Sequence, residues 1–74
     1  MTADPADKRG RVTSFDAVVG LGEVAEVAPG AGVYPFHCTQ IAGGRRDIDA
    51  GTDVTFVVRP TRLGRWEAAA VTPV

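Results

Sequence analysis

The sequence predicts a small all-β domain, a five-stranded antiparallel barrel. Three observations lead to this prediction: short apolar runs recur between glycine- or proline-rich turns, no stretch of ten residues combines helical periodicity with caps, and the chain has 74 residues. At this length a closed barrel is favoured over a two-layer sandwich, because closure removes exposed strand edges that so small a sandwich cannot protect.

The chain divides into a short tail and one domain. Residues 1–8 are small and polar and contain Pro5, so we expect a flexible N-terminal tail. Residues 9–74 form the domain. Its predicted strands follow in order at residues 10–16, 20–27, 33–38, 53–59 and 65–71.

The fourth predicted strand is the clearest, because apolar residues alternate within it and β-branched residues dominate it. The fifth is the most ambiguous, since residues 67–70 have high helix propensity. Trp66 and Val71 favour a strand there, and Pro73 leaves too little room for a stable helix. The predicted core comprises Val12, Val24, Tyr34, Phe36, Ile41, Val54, Phe56, Val58 and Val71.

Composition excludes several classes of protein. Apolar residues make up 45% of the chain and the net charge is −1, which argues against disorder. The apolar runs are too short to span a bilayer, so we expect no membrane partner. The first residues lack the pattern of a signal peptide, and the single cysteine, Cys38, forms no internal disulfide. A cytoplasmic monomer is the expectation.

Catalysis is not expected. Cys38 follows His37, but adjacent residues of a strand point to opposite faces, so they should not form a nucleophile–base pair. One Cys and one His do not make a zinc site, and no glycine-rich loop with Lys and Ser/Thr is present. We therefore predict no enzymatic activity, no metal and no cofactor.

The order of short motifs resembles the bacterial cold-shock domain. GRVTSFD at residues 10–16 is similar to the family's Gly-x-Val-x-Trp-Phe-Asn, and GLGEV at 20–24 to Gly-Phe-Gly-Phe-Ile. FHCTQI at 36–41 resembles Val-His-x-Ser-x-Ile, GTDVTFVV at 51–58 resembles Gly-x-x-Val-x-Phe-x-Val, and the glycine and AAAV within 64–71 resemble Gly-Pro-x-Ala-x-Asn-Val. The resemblance implies a five-stranded OB-fold barrel that binds single-stranded RNA and DNA by stacking bases on surface aromatics.

The departures from the family pattern fall on this stacking platform. Only Phe15 and His37 match its positions. The other platform positions carry Thr13, Ser14, Leu21, Glu23, Pro35 and Cys38. Each stacked base contributes about 1–3 kcal/mol, so these replacements should remove most of the family's affinity. Glu23 also repels phosphate.

Trp66 is the second candidate for stacking. It occupies roughly the family's proline position, and Arg59, Arg62 and Arg65 lie close to it in the sequence. A tryptophan among arginines can stack a base while the arginines neutralise phosphates. The alternative is that Trp66 packs beneath its own loop. His37 likewise has two interpretations, a base contact or a half-buried histidine at a strand end.

The functional prediction is weak or rewired binding of single-stranded nucleic acid. The residues predicted to carry it are Phe15, His37, Trp66, Arg59, Arg62 and Arg65. The alternative is a protein-interaction module that has lost nucleic-acid binding. An exposed Leu21, where the family has a stacking aromatic, suits a protein contact at least as well as RNA.

Overall fold

Five antiparallel strands form one sheet in the computed structural model, which describes residues 7–28, 32–61 and 64–74. The all-β class and the number of strands predicted from the sequence are confirmed. Two single-turn 3-10 helices, Cys38–Gln40 and Ala42–Gly44, follow the third strand. The strands are β1 (Asp7–Asp16), β2 (Leu21–Glu26), β3 (Val33–His37), β4 (Asp53–Pro60) and β5 (Trp66–Pro73).

The strand order is β3-β2-β1-β4-β5, with the longest strand, β1, at the centre. The two edge strands, β3 and β5, come near each other, and Ile41 forms a single parallel bridge with Val71. No hydrogen-bonded ladder joins β3 to β5 within the described ranges. The sheet is therefore one open sheet whose edges approach each other.

The first strand begins earlier than the sequence predicts. Asp7 and Lys8 pair with Val57 and Phe56 of β4, although the tail was expected to extend through residue 8. Strand pairing uses backbone groups, so polar residues at a strand end satisfy it as well as apolar ones. Residues 1–6, the rest of the predicted tail, lie outside the described residues, as do residues 29–31 of the turn before β3.

The core fills the inner face of the sheet. Its buried members are Val12, Val24, Phe36, Ile41, Ile48, Val54, Phe56, Ala68, Ala69 and Val71. Seven of the nine predicted core residues are among them, while Tyr34 and Val58 are half-buried and pack against this cluster. Ile48 is an addition, because the loop that follows the second 3-10 helix turns it inward.

A bulge in β1 decides the orientation of Phe15. Strict alternation from the buried Val12 would point Phe15 outward, but the register with β2 shifts between Val12 and Ser14. The extra residue leaves both Thr13 and Ser14 exposed and turns Phe15 inward. Its ring stacks on Phe36, with the ring centroids 6.0 Å apart and an interplanar angle of 14°.

Candidate nucleic-acid interface

The outer face of β1, β2 and β3 is the face on which the cold-shock resemblance places stacking aromatics. One row across it contains Ser14, Glu23 and Pro35. The next contains Asp16, Leu21 and His37. These six residues are exposed, and none is Phe, Tyr or Trp. Two carboxylates stand among them, so these two rows offer little for base stacking and repel phosphate.

Phe15 belongs to the opposite face. It is half-buried and packs against the core, with Gly22 of β2 as its pairing partner. Gly22 in turn pairs with Phe36, so the two rings meet over a residue without a side chain. The structure thus separates Phe15 from the exposed row that contains His37.

His37 lies at the end of β3 and begins the next turn. Its Nδ1 accepts a hydrogen bond from the backbone N–H of Thr39 at 3.2 Å and lies 3.0 Å from the Thr39 hydroxyl. A neutral imidazole that accepts at Nδ1 has its proton on Nε2. The exposed ring therefore has an N–H on Nε2 with which to donate to a ligand.

Cys38 lies closer to His37 than the sequence analysis predicts. Its Sγ is 3.8 Å from His37 Nδ1, so the expectation that the two side chains point apart is wrong. The reason is that β3 ends at His37 and Cys38 begins a 3-10 helix, where the alternation of a strand no longer applies. The thiol is half-buried and packs against the core.

An open pocket of about 480 Å³ adjoins His37. Arg45 and Arg46 line it together with His37 and Thr39, while Cys38 and Ile41 supply less polar wall. The sequence analysis did not include the two arginines among its candidates. Their position directly after the Gly43-Gly44 turn that follows the His37 motif is the signal that could have found them.

Trp66 is the first residue of β5, and 57% of its surface is exposed. All five Phe, Tyr and Trp residues lie in the described ranges, and the other four are buried or half-buried. Packing of Trp66 beneath its own loop would bury the ring, so its exposure does not support that alternative. Arg65, beside it, is also exposed.

Arg59 and Arg62 are the other two arginines predicted for this turn, and the structure describes only Arg59. Arg59 pairs with Glu67, with 3.5 Å between Arg59 Nε and Glu67 Oε1, so part of its charge is compensated. Arg62 lies outside the described residues. The free positive charge that the structure describes at this turn is therefore that of Arg65.

The candidate residues form two groups at opposite ends of the strands. Neighbouring strands are antiparallel, so β3 and β5 run in the same direction. Trp66 stands at the start of β5, whereas His37 stands at the end of β3. The structure brings His37 together with Arg45 and Arg46, and keeps Trp66 with Arg65 and Arg59 at the other end.

Comparison with known proteins adds no family assignment. No family model matches the chain, and no curated protein matches it either. Across residues 7–28, 32–61 and 64–74, no helix is long and apolar enough to span a membrane, and no three metal-binding side chains cluster. The resemblance to cold-shock domains therefore rests on the short motifs of the sequence.

Proposed function

We propose that this protein is an OB-type barrel that binds single-stranded nucleic acid weakly, at the ends of its strands rather than on the outer face of the sheet. The strand order supports the barrel, because the approach of β3 to β5 and the Ile41–Val71 bridge bring the two sheet edges together. The motifs of the cold-shock family support the ligand class.

The exposure of Trp66 carries this proposal. An indole ring that is 57% exposed leaves a large apolar surface in water, in a chain short of core side chains. Such a ring next to the exposed Arg65 can stack a base while the guanidinium attracts the neighbouring phosphate. His37, at the other end of the strands, offers an exposed ring and a free N–H.

The charge distribution explains why the binding is weak. Glu23 occupies the outer face between the two ends, Asp16 lies in the same row as His37, and Glu67 partly neutralises Arg59. Without a row of stacking aromatics, we expect a dissociation constant at or above about 1 µM, or about −8 kcal/mol at best. Phosphate contacts supply most of what remains, so the affinity should fall steeply with salt.

Trp66 is the sole tryptophan, so its fluorescence tests the proposal directly. A single-stranded oligonucleotide should quench it, and added salt should reverse the quenching. Arg65→Gln should weaken binding, whereas Arg9→Gln removes the same charge from an exposed residue of β1 and serves as the control. Nanomolar affinity at physiological salt, or amide shifts confined to residues 20–24, would contradict the proposal.

A protein-interaction module is the second candidate, and one observation favours it. The turn between β1 and β2 and the start of β2 expose Val18 by 94%, Val19 by 57% and Leu21 by 52%. Apolar side chains exposed so close together in the sequence are typical of protein contacts. An absence of amide shifts and of Trp66 quenching with any oligonucleotide would favour this function over the first.

A further inference from the structure

We infer that the pocket at the end of β3 binds a nucleotide phosphate, held by the guanidinium groups of Arg45 and Arg46 and by His37 Nε2–H. The inference rests on the proposed function for the nature of the ligand. It uses different residues, however, at the opposite end of the strands from Trp66. We call this site the β3-end pocket, lined by His37, Cys38, Thr39, Ile41, Arg45 and Arg46.

Uncompensated positive charge favours an anion in the β3-end pocket. Lys8, Arg11 and Arg59 each pair with a carboxylate. Arg45 and Arg46 are exposed, and neither forms an ion pair with any described residue. They are adjacent and share one pocket, so two positive charges act on the same volume.

The hydrogen-bond donors at the β3-end pocket suit a phosphate. An arginine presents a planar fork of N–H groups that matches two oxygens of a phosphate, and such charge-assisted hydrogen bonds are among the strongest in proteins. His37 adds an N–H from Nε2, because its Nδ1 is occupied by the Thr39 N–H. The Thr39 hydroxyl supplies a further polar group at the wall.

The β3-end pocket is large enough for a nucleotide. A volume of about 480 Å³ is within the range of small-molecule sites and leaves room for a sugar or a base beside the phosphate. The half-buried Cys38 offers less polar surface for that part of the ligand. A second depression of about 310 Å³ includes Arg9 and Arg11. Within it, Asp53 Oδ1 lies 2.9 Å from Arg11 Nε, so the positive charge of this depression is partly compensated.

Two kinds of ligand can supply the phosphate that the β3-end pocket binds. It is either a phosphodiester within a strand that also reaches Trp66, or the phosphate monoester of a free mononucleotide. A strand that bridges both ends must be several nucleotides long, in keeping with OB-type sites of about 4–16 nucleotides. A mononucleotide fills the β3-end pocket alone.

Amide shifts of the intact chain test the inference with three probes: inorganic phosphate, uridine 5′-monophosphate and an eight-nucleotide strand with hydroxyl termini. Each probe that binds should shift the amides of Thr39, Gly44, Arg45 and Arg46. The double variant Arg45→Gln/Arg46→Gln should weaken binding at least about tenfold, since two charge-assisted contacts are lost. Arg9→Gln should stay within about twofold, because its charge lies outside the β3-end pocket.

The outcomes separate this inference from the proposed function. Binding by the strand that the double variant weakens supports a phosphodiester ligand, and binding by the mononucleotide alone supports a free phosphate monoester. The second result would leave the β3-end pocket standing while the proposed function fails. If the strand quenches Trp66 but the double variant binds it like the wild type, the inference is overturned and the proposed function stands. Shifts from phosphate spread evenly over all exposed arginines would also overturn it.

Discussion

The inner and outer faces of β1, β2 and β3 use side chains in opposite ways. The inner face carries Phe15 and Phe36 in a stacked pair, with Tyr34 tilted against Phe56 of β4 at 5.9 Å between centroids. The outer face carries small, charged and aliphatic residues together with Pro35 and His37, and no Phe, Tyr or Trp among those described. Four of the five such aromatics therefore serve packing, and one, Trp66, remains in water.

This contrast shows how a small sheet can keep its fold while it loses a binding surface. A domain of this size has few large side chains with which to fill its interior. Aromatics on the inner face stabilise the fold, whereas those on the outer face would act only through a ligand. Changing the two faces separately should therefore affect stability and binding separately.

Removal of an inner aromatic should have the largest effect. Phe56 is 1% exposed, and Phe56→Ala should cost about 3–5 kcal/mol through lost burial and the cavity left behind. A domain of this size has little more stability than that, so the variant should be largely unfolded at 25 °C. Circular dichroism against temperature measures this. A soluble variant that still unfolds cooperatively would show that the core is assigned wrongly.

Addition to the inner face should be nearly as harmful. A β-carbon on Gly22 would lie 2.7 Å from Phe36 Cζ and 2.9 Å from both Phe15 Cδ1 and the Ser14 carbonyl oxygen. Because the Ser14 oxygen is backbone and the rings are held by packing, Gly22→Ala should destabilise the fold by about 1–3 kcal/mol.

Gly32→Ala is the matched control for Gly22→Ala. Of the residues that the structure describes, its β-carbon would meet only Tyr34, at ordinary contact distances of 3.7 Å and more. We expect it to be neutral or to stabilise slightly, since alanine reduces the entropy of the unfolded chain. Urea titration compares the two variants. Equal urea midpoints for the two variants would contradict the assignment of Gly22 to a closely packed inner face.

An aromatic placed on the outer face should change binding and leave stability nearly intact. Ser14 is exposed and pairs with Glu23, where the cold-shock pattern has a tryptophan. Ser14→Trp should raise the affinity for single-stranded oligonucleotides by about 1–3 kcal/mol, the contribution of one stacked base. Thr72→Trp, at an exposed position of β5, is the control and should add less. If Ser14→Trp gains nothing, the outer face is not on the path of the strand.

The smallest effect concerns the bulge in β5, which also determines which side chains are inside. The register with β4 shifts between Thr55 and Val57, and Ala70 takes a left-handed conformation with φ 51°. Ala68 and Val71, three residues apart, both join the core as a result, which strict alternation would not allow. Ala70→Asn should stabilise the fold by about 0.5–1 kcal/mol, because asparagine tolerates this conformation better. Ala70→Val should destabilise it, and thermal melts that rank the two in reverse order would contradict the argument.

The bulge in β1 and the end of β3 mark the places where alternation in the sequence no longer predicts the direction of a side chain. The alternation of Val54, Phe56 and Val58 predicts β4 closely. The observed strand, Asp53–Pro60, is one residue longer than the predicted one. Alternation fails at Phe15, because a bulge adds a residue that no composition signal announces. It fails again at Cys38, where the His37 side chain accepts from Thr39 and helps to end β3.

The sequence predicts candidate site residues only where one side chain by itself suits contact with a ligand. The sequence points to His37 and to Trp66, and both are exposed. It does not reveal that they stand at opposite ends of the strands, because that depends on strand direction. It also does not place Arg45 and Arg46 beside His37, because two 3-10 turns fold the loop back onto the end of β3.

The central position of β1 has a consequence for how fast the chain folds. β2 and β3 follow β1 as successive antiparallel neighbours, and β4 with β5 forms a hairpin, so both units consist of pairings between consecutive strands. Among the hydrogen-bonded ladders of the sheet, the pairing of β1 with β4 connects them, and Arg11 and Asp53 in that ladder are 42 residues apart. Closing so long a loop comes before the contacts that compensate for it, which makes this docking the slow step. We expect folding in milliseconds to seconds, with substitutions in the β1–β4 ladder slowing it more than those in the β4–β5 turn.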